Sequence, residues 1–239
     1  MRVLILGSGP SVLQCRDWPR APFDRIVAIN NAWAVRPDWD DLVFPEDFPP
    51  DRRPVVYGPG QRPITAEHYL PANNAFGGVV YAGATMAFTA GYWALHALRP
   101  SVIAYLGCDM VYAPGRTHFY GTGTADPLRP DPTLQDLHAK SARLELLAAR
   151  QGCAVVNLST EKTRLSFART SPGGAAHARP RPVPDAAMAR ALRAEAALGA
   201  MIPSGRYWEV EDRLDRAALA RIDALWCAAW QDAQTLRSA

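Results

Sequence analysis

The chain has 239 residues, 49% of them hydrophobic and 21% charged, with a formal net charge of +3 at pH 7. This is the balance of a globular protein with one large α/β domain, or one domain and an appendage, and so small a charge gives no support to nucleic acid as a partner. No apolar run is long enough to span a bilayer and the N-terminus lacks a signal-peptide profile, so the chain reads as cytoplasmic, with room left for peripheral contact with an inner membrane.

Arg2 to Leu6 is a short apolar run that stops at a glycine, which predicts a buried strand. Gly7-Ser8-Gly9-Pro10-Ser11 follows at once. Two glycines allow a sharp turn and close approach of backbone to a ligand. Pro10 suits a first helical turn, and Ser8 or Ser11 can cap it. Strand, glycine turn and helix start together aim backbone N–H groups at an anion, usually a phosphate; a ligand-free βα turn fits the same residues. A third glycine at the dinucleotide spacing is missing, as is the Lys-Ser/Thr of a P-loop.

A short helix from Val12 to about Trp18 and a second strand, Arg25–Asn30, come next. Asn30 and Asn31 end that strand, either as ligand contacts at a sheet edge or as turn formers. Leu42–Phe44 and Val55–Tyr57 predict two further short strands, and residues 58–74 a long surface excursion of the lid type. From Ala84 to Leu98 the residues are small or apolar nearly all round, which predicts a buried helix with His96 packed on it. The flexible start of that helix, Ala82-Gly83, lets a ligand or the first strand press close.

Val102–Leu106 predicts a central strand, ending in Gly107-Cys108-Asp109. A carboxylate there can contact a ligand or cap a turn. The following stretch carries Tyr112, Arg116, His118, Tyr120, Asp126 and Arg129, the residue types of a binding loop. Thr133–Gln151 reads as an amphipathic helix with Gln135, Asp136, Lys140, Arg143 and Arg150 available to face outward, stopped by Gly152; Cys153–Leu158 reads as a last strand. Alternation of strands and helices over residues 1–165 predicts a doubly wound, mostly parallel, Rossmann-like sheet. Residues 166–185 read as a Pro/Gly-rich linker, and residues 186–239 as a C-terminal helical appendage. Its second helix carries Leu214, Ala218, Ile222, Leu225, Trp226 and Trp230 at helical spacing, a stripe that packs on the core or on a partner chain, which leaves room for a homo-oligomer. The four cysteines, at 15, 108, 153 and 227, make no CxxC pair and read as reduced, without a metal site.

In order and rough spacing these motifs resemble the bacterial sialyltransferases that decorate lipooligosaccharides. The likeness rests on Gly7-Ser-Gly-Pro-Ser11, Ile29-Asn30-Asn31, Ala82-Gly83, Gly107-Cys-Asp109-Met-Val-Tyr112 and His138-Ala-Lys140. It implies a Rossmann-like fold that moves a sugar from a CMP-activated donor to a glycan hydroxyl, with no cofactor or metal. By the same likeness Gly7, Ser8, Gly9, Pro10, Ser11 and Asn30 hold the nucleotide. His138 serves as general base, and Tyr112, with Tyr120 as a further candidate, bonds the departing phosphate. An imidazole with a pKa of about 6.5 suits that proton transfer, and Arg116 or Arg129 can neutralise the leaving group. Ser8 stands where the family has Asn, the Asp109-to-Tyr112 spacing is one residue longer, and no Arg precedes Ala82-Gly83. His118, outside the family pattern, is a second candidate base. The glycine start and Gly-x-Asp strand end also resemble the 6-hydroxymethylpterin diphosphokinase-like family, which implies ATP and Mg²⁺ with Asp109 and Asp126 as ligands. A non-catalytic nucleotide-binding module is the third reading.

Overall fold

The computed structural model describes residues 1–111, 117–121 and 130–238. Seven strands among them form one parallel sheet: β1 (Arg2–Leu6), β2 (Arg25–Ile29), β3 (Asp41–Val43), β4 (Arg62–Ile64), β5 (Val102–Leu106), β6 (Ala154–Asn157) and β7 (Ala168–Arg169). Their order is β4-β3-β2-β1-β5-β6-β7. The chain winds outward from β1 to β4, returns to pair β5 in register beside β1, and winds outward again. The direction of winding reverses between β1 and β5, which makes their C-terminal ends the place where such sheets bind ligands. The expected doubly wound α/β fold is the one the chain adopts.

Alternation along the strands splits the core in two. Val3, Ile5, Val27, Ile29, Ile103 and Tyr105 face one side. There they meet α1 (Ala66–Asn74), α2 (Val79–Ala82), α3 (Met86–Trp93) and α4 (Leu137–Arg150). Leu4, Leu6, Ile26, Ala28, Ala104 and Leu106 face the other side and are covered largely by loops and tight turns that carry Val12, Phe23, Trp39, Phe44 and Phe48. α5 (Pro172–Ala175) adds Ala175 to that second side. α6 (Asp185–Leu198) and α7 (Arg216–Ser238) join the first side through Met188, Ala191, Leu219, Ile222 and Trp226. The tryptophan stripe therefore packs on the chain's own core. No helix among the described residues is long and apolar enough to cross a membrane.

Several local readings differ from the structure. Residues 55–57 form no strand, and Val55 and Val56 are exposed. The next strand is β4, where Pro63 is tolerated because an edge strand can do without one donor. The surface excursion read over residues 58–74 instead holds β4 and α1, whose start is fixed by reciprocal bonds between Thr65 and His68. The first helix is a single 3₁₀ segment, Pro10–Cys15, with no side-chain cap, so neither Ser8 nor Ser11 plays that part. The apolar helix ends in a wide turn, Ala94–Leu98, and His96 on it is exposed, with its ring edge-on to Phe76. The stretch read as a linker contributes β7 to the sheet.

The largest departure concerns α4. Lys140 and Arg143, read as outward-facing, are buried. Lys140 pairs with Asp223 of α7 at 2.7 Å, and Arg143 with Glu195 of α6 at 2.7 Å. The C-terminal helices cover this face and bring the carboxylates with them.

Candidate functional site

Two backbone turns meet at the reversal point. Gly7 N–H donates to Leu106 C=O and Gly9 N–H to Gly107 C=O, each at 2.8 Å. A Cβ on Gly7 or Gly9 would collide with the Gly107 carbonyl, and one on Gly107, which has φ +74°, would meet Val12. The close approach these glycines permit is thus made to the facing turn of the same chain. Gly7→Ala is expected to cost about 1–3 kcal/mol of stability by overpacking, read as a lower urea midpoint with an unchanged slope.

Asp109 ties three strand ends together. One carboxylate oxygen accepts from Ser11 Oγ at 3.0 Å and the other from Asn157 Nδ2 at 3.1 Å. Its carbonyl accepts from Arg164 N–H at 3.0 Å. Asp109 is therefore a strut between the glycine turn, the end of β5 and the end of β6. Neutral donors on both oxygens suit that role better than a magnesium ligand; the second candidate ligand, Asp126, lies outside the described residues. Asn157 was missed from the sequence, although a lone amide ending an apolar strand was the signal available. Cys108, buried beside Asp109, has its thiol pushed far up by desolvation and then by that carboxylate, so it is no nucleophile.

Beside the glycine turn, Ser8 Oγ lies 3.5 Å from the Ile29 carbonyl, at the end of β2. Asn30 follows with φ +51°, a left-handed conformation that asparagine tolerates better than most residues. Its Oδ1 is buried and has no hydrogen-bond partner among the described residues. Asn31 is half-buried in the 3₁₀ turn Asn30–Ala34. The Ser8 and Ser11 N–H groups likewise make no backbone bond among the described residues. Pro10 is exposed.

The loop after β5 returns over this turn. Phe119 N–H donates to Ser8 C=O at 2.9 Å, and a His118–Gly121 bridge closes a tight hairpin. His118 Nδ1 sits 2.8 Å from Thr117 Oγ1, and its ring stacks on Tyr120, which is exposed. Burial holds the imidazole below its ordinary pKa, hence neutral at pH 7.

Comparison with known family models, curated proteins and solved structures finds no match. The site must therefore be read from its own geometry.

That geometry gathers Gly7, Ser8, Gly9, Pro10, Ser11, Asn30, Asn31, Asp109 and His118 around one rim. Ala82 and Gly83 are not part of that set: both are buried, and Gly83 packs against the Lys140 side chain and Phe88. His138 lies in the first turn of α4, with Nδ1 3.8 Å from Cys227 Sγ and its ring edge-on to Trp230. It lines a cavity of about 300 Å³ with Gln135, Asp136, Leu137, Thr163, Arg164 and Leu165. Residues 163–164 also contact Asp109, so this cavity adjoins the rim from the far side of the strut. Tyr112, Arg116 and Arg129 lie outside the described residues.

Proposed function

We propose that this protein is a sialyltransferase-like glycosyltransferase that holds the nucleotide of a CMP-activated sugar at the β1/β2/β5 rim. The observation that carries the reading is Asn30: a buried amide oxygen with no partner among the described residues, at the C-terminal edge of the sheet, is costly unless a ligand supplies a donor. A sugar hydroxyl or a base amino group supplies one. The Ser8 and Ser11 N–H groups beside it, which make no backbone bond among the described residues, suit a phosphate.

His118 is the proton acceptor in this reading. Its hairpin is fastened to Ser8, and the ring is neutral at working pH. The acceptor oxygen attacks the anomeric carbon and its proton passes to His118. The bond from that carbon to the phosphate oxygen breaks, and CMP leaves with the electron pair.

Calorimetric titration of the full chain with CMP, a CMP-sugar, and ATP with Mg²⁺ tests this. CMP and the CMP-sugar are expected to bind at one site, with Asn30→Ala weakening both by about 2- to 10-fold, the worth of one hydrogen bond. Binding of ATP with Mg²⁺ in their place would shift the assignment to pyrophosphoryl transfer. Binding without transfer to any hydroxyl acceptor would leave a nucleotide-binding module.

A further inference from the structure

Beside this cavity, whose lining includes Asp136 and His138, α7 packs on α4, and three side chains of metal-binding type meet there. Cys227 Sγ lies 3.8 Å from Asp136 Oδ2 and 3.8 Å from His138 Nδ1, and the three ligand atoms all lie within 4.8 Å of one another. Each arm is held by something else. Asp136 Oδ1 caps α4 by accepting from Ala139 N–H at 3.0 Å, which leaves Oδ2 turned to Cys227. The His138 ring rests on the edge of Trp230, whose Nε1 is anchored to Glu145 at 2.7 Å. Cys227 sits on a helix packed along α4.

We propose that Asp136 Oδ2, His138 Nδ1 and Cys227 Sγ bind one divalent transition ion, zinc best of all, with a fourth position open to the cavity lined by Thr163 and Arg164. Zinc bonds of about 2.3 Å to sulfur and 2.0–2.2 Å to nitrogen and oxygen set tetrahedral ligand atoms about 3.3–3.6 Å apart. The two separations to sulfur, 3.8 Å each, need to close by only a few tenths of an ångström, and the Asp136 and His138 ligand atoms already lie within 4.8 Å of each other. One thiolate, one imidazole and one carboxylate are a donor set that zinc accepts and that magnesium or calcium does not favour. Three protein ligands with one position open are the pattern of a site that takes water or substrate rather than one that only braces the fold. Without metal, burial and the neighbouring Asp136 and Asp223 carboxylates push the Cys227 thiol up to about 11, so it keeps its proton. Metal binding forms the metal–sulfur bond and releases that proton to solvent. A histidine ligated through Nδ1 is no longer the base of a transfer reaction, so this site and the rim divide the two histidines between them. The site stands apart from the rim and does not depend on a nucleotide being bound there.

The test is titration of the metal-free full chain with Co²⁺ as a spectroscopic stand-in, followed by Zn²⁺. One Co²⁺ per chain is expected, with a thiolate-to-cobalt charge-transfer band and the intense visible bands of four-coordination, both lost when Zn²⁺ displaces it. Cys227→Ser should abolish the charge-transfer band. Asp136→Asn, which can still cap α4, and His138→Gln should each weaken binding by more than about 100-fold, beyond what outer-shell changes do. Circular dichroism of each variant checks that it folds, and any one folded variant decides the matter. Absence of stoichiometric binding, or a charge-transfer band that survives Cys227→Ser, would overturn the proposal; in the first case the three groups form only a thiol hydrogen-bond cluster.

Discussion

Replacing Glu195 by alanine is expected to destabilise the protein by about 3–5 kcal/mol, the largest loss from any single change considered. The reason is Arg143. Its guanidinium is 1% exposed and is held by both Glu195 oxygens, at 2.7 and 2.8 Å, and by Tyr92 Oη at 2.8 Å. Burial lowers the Arg143 pKa; Glu195 and Tyr92 outweigh that and raise it above the ordinary value, so the guanidinium keeps its charge. Glu195 also accepts from Trp226 Nε1 at 2.7 Å, and Tyr81 donates to its backbone carbonyl. The alanine variant strands a buried cation and an indole N–H at the junction of α3, α4, α6 and α7. Urea unfolding followed by circular dichroism measures the loss. Removing both charges, as in Arg143→Met with Glu195→Leu, should recover most of it, because the desolvation cost then disappears with the pair. A loss under about 1 kcal/mol in the single variant would mean that Arg143 finds water or another partner.

The second large effect concerns His118. If it accepts the proton, His118→Ala should lower the transfer rate by about 10²- to 10⁴-fold while leaving CMP affinity within a few-fold of the parent. The pH profile follows from the direction of its shift. The folded-state pKa lies below 6.5, so the neutral, proton-accepting form persists from pH 7 downward until that lower value is reached. The acid limb of kcat is therefore expected below pH 6.5, and the same limb should be missing from the residual rate of the variant. Stability linked to this group has the same sign: it is present above the unfolded value and lost as pH falls through the folded one. Transfer undiminished in His118→Ala but abolished in His138→Ala would remove His118 from the mechanism and move the essential imidazole to α4.

The sheet was legible because its strands are short apolar runs ended by glycine or asparagine, a pattern that little besides a parallel α/β core produces. β1, β2, β5 and β6 lie within a residue or so of the runs that predicted them. β4 and β7 escaped notice because edge strands of two or three residues carry almost no periodicity; Arg62-Pro63-Ile64 looks like a loop until β3 is beside it. Lys140 and Arg143 misled for a different reason. A charged residue on a helix is normally solvated, and only Asp223 and Glu195, more than fifty residues away in the chain, make these exceptions. The glycine turn was located correctly, but its glycines serve the contact with Gly107 as well as any ligand, a distinction that needs the neighbouring turn. The Asp109–Ser11–Asn157 strut and the Cys227 cluster were invisible for the same reason: each joins residues that share no local pattern.

The central claim is that the glycine turn and Asn30 converge on a bound nucleotide. An amide-resolved NMR titration of the full chain with CMP tests it most directly. Saturable shifts of the Ser8 and Ser11 backbone amides and of the Asn30 side-chain amide, all with one dissociation constant, are the predicted result. Saturable binding that leaves those three signals unmoved, or no binding at all, would contradict it.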